Sequence, residues 1–198
     1  MAYLFTTISR TNKVPAPPGT PEYRNWFRDR ASRITRVNHN KLISENKPLT
    51  MKSIRLQDIG RMFMFFYDAK TKADLPFWDM FPLIFPIHIY KDGFLGINLH
   101  YLPPLYRAKL MDQLYSIVNN TKYDMTTKLR ISYEILNGAA KFKLFKPCVK
   151  RYLNNHVRSR FLHISAEEWD FATFLPVQKF QKASATTVWA DSMKKVKG

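Results

Sequence analysis

The stretch Arg61–Pro104, RMFMFFYDAKTKADLPFWDMFPLIFPIHIYKDGFLGINLHYLPP, carries the strand signals that decide the fold. Residues 61–67 and 81–90 are rich in aromatic and branched apolar side chains, which is typical of strands. Asp92-Gly93 predicts a tight hairpin turn, because this pair accepts the positive φ angles that such turns use. Residues 93–102 are expected to return as a third strand. The sequence thus predicts a small antiparallel β-sheet or barrel.

Prolines and a glycine add detail to this sheet. Pro82 and Pro86 favour a sheet edge or a bent strand for residues 81–90, since proline cannot donate a ladder hydrogen bond. Gly96 favours a bulge or a close approach of another backbone. Pro103 and Pro104 end the third strand and favour the start of a helix.

Helical periodicity follows the predicted sheet. Residues 105–120 predict an amphipathic helix, and Asp124 is the expected N-cap of a second helix that Asn137-Gly138 would end. Ser165 and Ser184 are expected to cap two more helices. The fold class is therefore predicted as α+β, with a small β-sheet or barrel followed by a helical layer. Three parts are expected: an extended basic arm (1–56), a β-module (57–104) and a helical part (105–198).

The formal net charge of +17 is unevenly distributed. Residues 1–60 carry +7 and residues 105–164 carry +9, whereas residues 61–104 are neutral and residues 165–198 carry +1. Such an excess repels itself unless a polyanion neutralises it. Nucleic acid is the commonest polyanion partner, because phosphates release counterions on binding. A basic surface that only confers solubility is the alternative.

The N-terminal arm is rich in arginine and aromatic residues. Four prolines between residues 15 and 21 break its early part. Guanidinium groups interleaved with Tyr23, Trp26 and Phe27 are typical of surfaces that meet phosphates and stacked bases. The candidate binding residues here are Arg24, Arg28, Arg30, Arg33 and Arg36. We expect an extended arm with one helical segment, ordered mainly by what it binds; a helix packed on its own domain through Trp26 and Phe27 is the alternative.

The densest basic run lies between residues 141 and 160. It predicts a helix that begins near Pro147, with Val149, Tyr152, Leu153 and Val157 facing inward and an outer cationic face. Such a face fits the backbone of a nucleic acid or an acidic protein surface. The candidate binding residues of the run are Lys141, Lys143, Lys146, Lys150, Arg151, Arg158 and Arg160.

Several function classes lack their sequence signatures. The chain contains no phosphate-binding glycine loop, dinucleotide fingerprint, zinc-protease motif or serine-hydrolase elbow. Its single Cys148 excludes an internal disulfide and a multi-cysteine metal site. No run of apolar residues is long enough to span a membrane, and the N-terminus lacks a signal-peptide pattern, so a cytoplasmic origin is expected. No catalytic residue, cofactor or metal ion is predicted.

A nuclease remains the enzymatic alternative. Asp68, Asp74 and Asp79 lie in or beside one predicted loop, as in a carboxylate metal site. Their spacing matches no metal-binding signature, however. A binding or structural role is therefore favoured over catalysis.

Several strings identify a family resemblance. FFYDAKTKADLPFWDMFPLIFPI, DGFLGINLHYLPP, RAKL, FKPCVKRYL and VRSRFL together resemble virion-associated proteins of T-even-like tailed bacteriophages, and similar strings run from about Trp26 to Trp189. The best match is the DNA end protector family, and a baseplate, hub or neck component is the competitor. The resemblance implies no catalytic residue.

The charge pattern and the resemblance predict a non-enzymatic bacteriophage virion protein. We expect it to bind double-stranded DNA, at the ends of the packaged genome, through phosphate contacts that do not read sequence. The alternative is an architectural protein whose basic arm and surface contact neighbouring virion subunits. Either protein would be made in the host cytoplasm and belong to a multi-subunit particle without a membrane partner.

Overall fold

The computed structural model describes residues 20–118, 122, 124–141 and 143–197. Residues 1–19 of the predicted arm and the predicted helix end at residues 119–120 lie outside the described residues. The helices are α1 (Pro21–Ser32), α2 (His39–Glu45), α3 (Pro104–Val118), α4 (Met125–Lys141), α5 (Trp169–Phe174) and α6 (Ala185–Lys197). The strands are β1 (Thr50–Met51), β2 (Met62–Met64), β3 (Trp78–Asp79), β4 (Leu83–Tyr90), β5 (Gly93–Asn98), β6 (Val149–Leu153), β7 (Phe161–Ile164) and β8 (Phe180–Gln181).

The main sheet has six strands in the order β1-β7-β2-β4-β5-β6, and all neighbours are antiparallel. The three predicted strands form its centre, so the predicted α+β class is confirmed. Because β4 lies between β2 and β5, the edge position suggested for residues 81–90 is wrong. The strand instead has an irregularity, where its pairing with β5 shifts between Pro86 and His88. β3 and β8 form a separate two-stranded sheet.

The predicted hairpin is present, but for a different physical reason. Tyr90 pairs with Gly93, and among the described residues only Gly60 and Lys182 have a positive φ. Gly93 is required by a close approach: a Cβ there would lie 1.9 Å from the carbonyl oxygen of Tyr152. β6 therefore pairs closely with β5 at this end of the hairpin.

The helix predicted from Pro147 is wrong. Residues Lys143–Cys148 form a 3-10 turn, and β6, a second 3-10 turn (Asn154–His156) and β7 follow. The apolar spacing of this run fits a helix, but residues 149–153 instead pair with the edge of β5 that β4 does not occupy. The tertiary pairing overrides the local pattern. The sheet consequently takes strands from outside the predicted β-module.

The predicted helix stop at Asn137-Gly138 is also wrong, because α4 continues to Lys141. Gly138 does not adopt the left-handed conformation that such a stop requires. The expected start of α4 is confirmed, since the amide of Thr127 donates to the Asp124 carboxylate at 2.9 Å. The cap of α6 is likewise confirmed by the 3.2 Å bond from the Thr187 amide to the Ser184 hydroxyl.

Alternation along the strands builds two apolar clusters on opposite faces of the sheet. Met62 and Met64 belong to the larger cluster, and Phe63 and Phe65 to a smaller aromatic one. Phe65 directly follows β2, and Tyr152 lies in β6, which is not a neighbour of β2 in the sheet. The ring centroids of Phe65 and Tyr152 nevertheless lie 5.4 Å apart. The sheet therefore curls around the aromatic cluster, as the barrel-like prediction expected.

Helices cover the other face of the sheet and bury the larger cluster. Phe27 of α1 is buried and meets Phe171 of α5 edge-on, with ring centroids 5.6 Å apart. The alternative expectation for residues 21–32, a helix packed on its own domain, is thus confirmed. Across the described ranges, every helix is too short or too polar to cross a membrane.

Candidate nucleic-acid interface

Two of the predicted N-terminal arginines form ion pairs within the fold. Arg28 Nη2 lies 2.7 Å from Asp112 Oδ1 and 3.0 Å from Asp170 Oδ1, and Arg24 Nη1 lies 3.8 Å from Asp112 Oδ1. Burial raises the pKa of Asp170 to about 6, although the charge of Arg28 opposes that rise. These contacts join α1 to α3 and α5, so they stabilise the position of α1.

The other three N-terminal arginines are placed differently. The guanidinium of Arg30 lies 5.5 Å from the ring centroid of Trp26, and Arg33 forms an exposed ion pair with Asp29 at 2.8 Å. Arg36 is exposed and forms no ion pair with any described residue. It is therefore available to an external anion.

The first part of the basic run also remains available. Lys141 ends α4, and Lys143 and Lys146 lie in the 3-10 turn that follows. All three are exposed, and none forms an ion pair with a described acidic residue. Together they place three positive charges on one short connection before β6.

A shallow depression, which we call the cationic cleft, lies between α2, the start of β1 and the segment that precedes β7. Its volume is about 390 Å³. Its lining contains three cations, Lys47, Arg158 and Arg160, and no carboxylate. The complete lining is Asn40, Ile43, Ser44, Lys47, Thr50, Phe66, Arg158, Ser159 and Arg160.

The arginines of the cationic cleft are held by the fold. Arg160 donates to the Thr50 hydroxyl at 2.6 Å and to the Thr50 carbonyl at 3.0 Å. Arg158 lies 3.6 Å from Asp68, an exposed pair that water screens. Because Arg160 has no carboxylate partner among the described residues, its charge remains available to a phosphate.

A second depression, which we call the aromatic pocket, lies beside β6 and has a volume of about 340 Å³. Its rings are Tyr67, Phe77, Trp78, Tyr101 and Tyr152, and its cations are Lys70, Lys150 and Arg151. Lys150 Nζ lies 4.0 Å from the ring centroid of Tyr101, and burial lowers the pKa of Lys150. Arg151 lies over Tyr90 and pairs with Asp92.

A buried polar network forms the wall behind the aromatic pocket. The Asp79 carboxylate accepts hydrogen bonds from His100 Nδ1 at 2.7 Å, Asn98 Nδ2 at 3.1 Å and the amides of Phe81 and Lys179. Burial alone would raise the pKa of Asp79, but His100 and these donors hold it below its usual value. Burial lowers the pKa of His100. The network fixes the chain directly after two of the pocket's rings, Phe77 and Trp78.

The three carboxylates of the nuclease alternative are not brought together. Asp68 is partly exposed and pairs with Lys72 at 3.0 Å, Asp74 is exposed, and Asp79 is buried in its network. Within the described ranges no group of three or more potential metal ligands occurs. His100 is fully buried, so its imidazole has no access to a substrate.

The two cavities adjoin the same stretches of chain. Phe66 lines the cationic cleft, whereas Tyr67 and Ala69 line the aromatic pocket. Residues 150–153 line the pocket, and residues 158–160 line the cleft. The fold thus divides the second half of the predicted basic run between two neighbouring sites.

Sequence reasoning did not assign the other residues of these cavities. Lys47 and Lys70 lie in segments without a basic cluster, and only the strand arrangement brings them to the cavities. The adjacent Phe77 and Trp78 were a usable signal, because two large rings in a polar loop favour an exposed aromatic surface. Which of these residues contacts a nucleic acid stays a prediction.

Comparison with known protein families gives a match over most of the chain. The model of the family described as phage T4 terminal DNA protecting protein matches residues 22–192. No curated protein and no solved structure shows significant similarity to the chain.

Proposed function

Because the chain belongs to the phage T4 terminal DNA protecting protein family, we propose that it binds the ends of double-stranded DNA through phosphate contacts that do not read sequence. The proposed setting is the virion, where the protein would shield the ends of the packaged genome. The observation that carries the proposal is the cationic cleft, which gathers Lys47, Arg158 and Arg160 without a carboxylate. The proposed role of the protein is protective rather than catalytic.

The chemistry of the cationic cleft suits a phosphate. A guanidinium offers a planar set of donors that matches phosphate oxygens, and Arg160 is already oriented by Thr50. Ser44 and Ser159 lie in the same lining, but their hydroxyls already donate to the carbonyls of Lys41 and Arg160, at 3.3 and 2.9 Å, so the cations are the donors left for a phosphate. Contacts between these cations and phosphate oxygens carry no information about the base sequence. The cleft therefore supports binding to the DNA backbone in any sequence.

Exposed cations elsewhere would add long-range attraction. Lys141, Lys143, Lys146 and Arg36 are exposed and form no ion pair within the described ranges. Charges of this kind raise the rate of association with DNA, and salt weakens their effect.

The test compares blunt linear DNA with closed circular DNA across a salt series, using the full chain. We expect tighter binding to linear DNA and slower exonuclease digestion of it. Arg158→Gln with Arg160→Gln should reduce the slope of log affinity against log salt by about 2, because each phosphate contact contributes roughly 0.9. Lys109→Gln with Lys194→Gln removes two exposed charges outside both cavities and serves as the matched control.

Two results would contradict the proposal. Equal affinity for linear and circular DNA would rule out end binding, and weak binding to both would assign the basic surface to acidic neighbours in the particle. An equal slope change in the control variant would remove the cationic cleft as the binding site. The protective role has its own check: with Mg²⁺ the protein should leave DNA uncut, and cleavage that Asp68→Asn or Asp74→Asn abolishes would restore the nuclease alternative.

A further inference from the structure

We infer that the aromatic pocket receives the terminal nucleotide of a DNA end, with its base against the aromatic rings and its phosphate facing Lys150. This inference rests on the proposed function and adds to it the site that recognises an end. The cationic cleft explains attraction to DNA, but every phosphate of a duplex would satisfy it equally. Preference for an end requires a group that only an end presents.

The rings of the aromatic pocket provide a surface for a base. Phe77 directly precedes β3 and Trp78 is its first residue, and both are partly exposed. Bases of any identity stack on such rings, because every base has a π face. Stacking therefore recognises an accessible base without reading its sequence.

Lys150 provides the anion-binding group. Its ammonium lies over the Tyr101 ring and has no carboxylate within 4.0 Å among the described residues. The one carboxylate in the pocket lining, Asp79, is already bonded to four donors. A partly buried cation without a counter-ion favours an anionic ligand. Lys70 is exposed at the same pocket and adds a second positive charge.

The size of the pocket selects an end over an internal site. A volume of about 340 Å³ lies near the lower limit of small-ligand sites, so it admits one nucleotide and excludes a duplex. A nucleotide must leave the base stack to enter such a pocket, which costs least where the base is already single-stranded. A terminal nucleotide leaves the stack at a lower cost than an internal one, because it stacks on a neighbour at one side only.

The cationic cleft lies where it could hold the same strand. The segment 66–69 separates the two cavities, with Phe66 lining one and Tyr67 lining the other. The cleft would bind phosphates of the duplex whose terminal nucleotide occupies the aromatic pocket. The two sites would then act on one DNA end.

The test uses short duplexes that carry one unpaired terminal nucleotide, either with a base or abasic, so that the phosphates are equal in number. We expect the full chain to bind the base-bearing end about tenfold more tightly, as one stacked base contributes. Phe77→Leu should abolish this difference, whereas Arg158→Gln with Arg160→Gln should weaken both duplexes and keep it. Lys150→Gln should weaken both duplexes, while its effect on closed circular DNA should be small.

A cross-link locates the base independently of affinity. 5-Iodouridine at the unpaired end should, on irradiation, attach to Phe77 or Trp78, as mass spectrometry would reveal. Equal affinity for the two duplexes, or a cross-link outside the aromatic pocket, would overturn the inference and leave end binding intact. Loss of the preference for linear over circular DNA would instead contradict the proposed function itself.

Discussion

Replacing Arg28 with glutamine should destabilise the fold in a pH-dependent way. Arg28 Nη2 lies 3.0 Å from Asp170, whose side chain is 4% exposed, and 2.7 Å from Asp112. Removing one partner of a buried ion pair typically costs about 3–5 kcal/mol, because the other charge stays buried and loses its nearest counter-charge. Since the Arg28 side chain is 19% exposed, we expect a loss near the lower limit, about 3 kcal/mol at pH 8.

The sign of the pH dependence follows from Asp170. Burial raises its pKa to about 6, above the ordinary value of 3.8. Between these two values the folded state binds the proton more tightly than the unfolded state does, so stability falls as the pH rises through this window. Without Arg28 the pKa of Asp170 would rise further. At pH 5 the carboxyl would be protonated, and Arg28→Gln should cost only about 1 kcal/mol, the hydrogen bonds alone.

Urea unfolding at pH 5 and pH 8 measures both values. Arg33→Gln is the control, because its pair with Asp29 is exposed on both sides and should contribute less than about 1 kcal/mol. Asp170→Asn in the Arg28→Gln background should recover stability at pH 8, since the buried group is then neutral. An equal loss at both pH values would refute the reasoning. Unchanged stability with weaker DNA binding would make Arg28 a phosphate ligand instead.

Further predictions concern the packing behind the two cavities. Gly93→Ala should destabilise the fold by more than about 3 kcal/mol in urea unfolding, because a Cβ would lie 1.9 Å from the Tyr152 carbonyl oxygen. Gly138→Ala should stabilise α4 by about 0.5–1 kcal/mol, because a Cβ there would have no atom within 4 Å. A loss of stability in Gly138→Ala would contradict the geometry of α4. Asp79→Asn should cost about 3 kcal/mol, since an amide cannot accept from all four donors; an unchanged melting temperature would argue against the network. Burial raises the pKa of Cys148 to about 12, so its thiol should react with a disulfide reagent at pH 8 only after unfolding, and rapid reaction in the native protein would show that the site is open.

The sequence predicts those parts of the fold that neighbouring residues determine. The hairpin between β4 and β5 needs only a two-residue turn between apolar runs, and the alternation of Met62, Phe63, Met64 and Phe65 assigns each side chain to its face. Similarly, the caps at Asp124 and Ser184 act over three residues. Contacts between residues this close in sequence can be predicted from the local residue pattern.

Features that depend on distant residues could not be predicted in this way. The run Val149–Leu153 has an apolar spacing that suits a helix, and it becomes β6 only because β5 has a free edge more than fifty residues earlier in the chain. Arg28 resembles a phosphate ligand until Asp112 and Asp170, 84 and 142 residues away, are placed beside it. The cavities depend on the same long-range pairing. The basic and aromatic residues that line them can be read in the sequence, but which of them share a cavity cannot.

The ion pairs of the fold leave an excess of unpaired cations, which favours a polyanionic ligand. The chain has 32 lysines and arginines against 15 acidic residues, so at least 17 cations would remain uncompensated even if every acid paired with a different one. Several acids are already committed to internal partners, among them Asp68, Asp112 and Asp170. The cations without a carboxylate partner among the described residues include Lys47 and Arg160 of the cationic cleft and Lys150 of the aromatic pocket. The mutual repulsion of these cations lowers the stability of the folded protein. A polyanion bound at both cavities would relieve this repulsion.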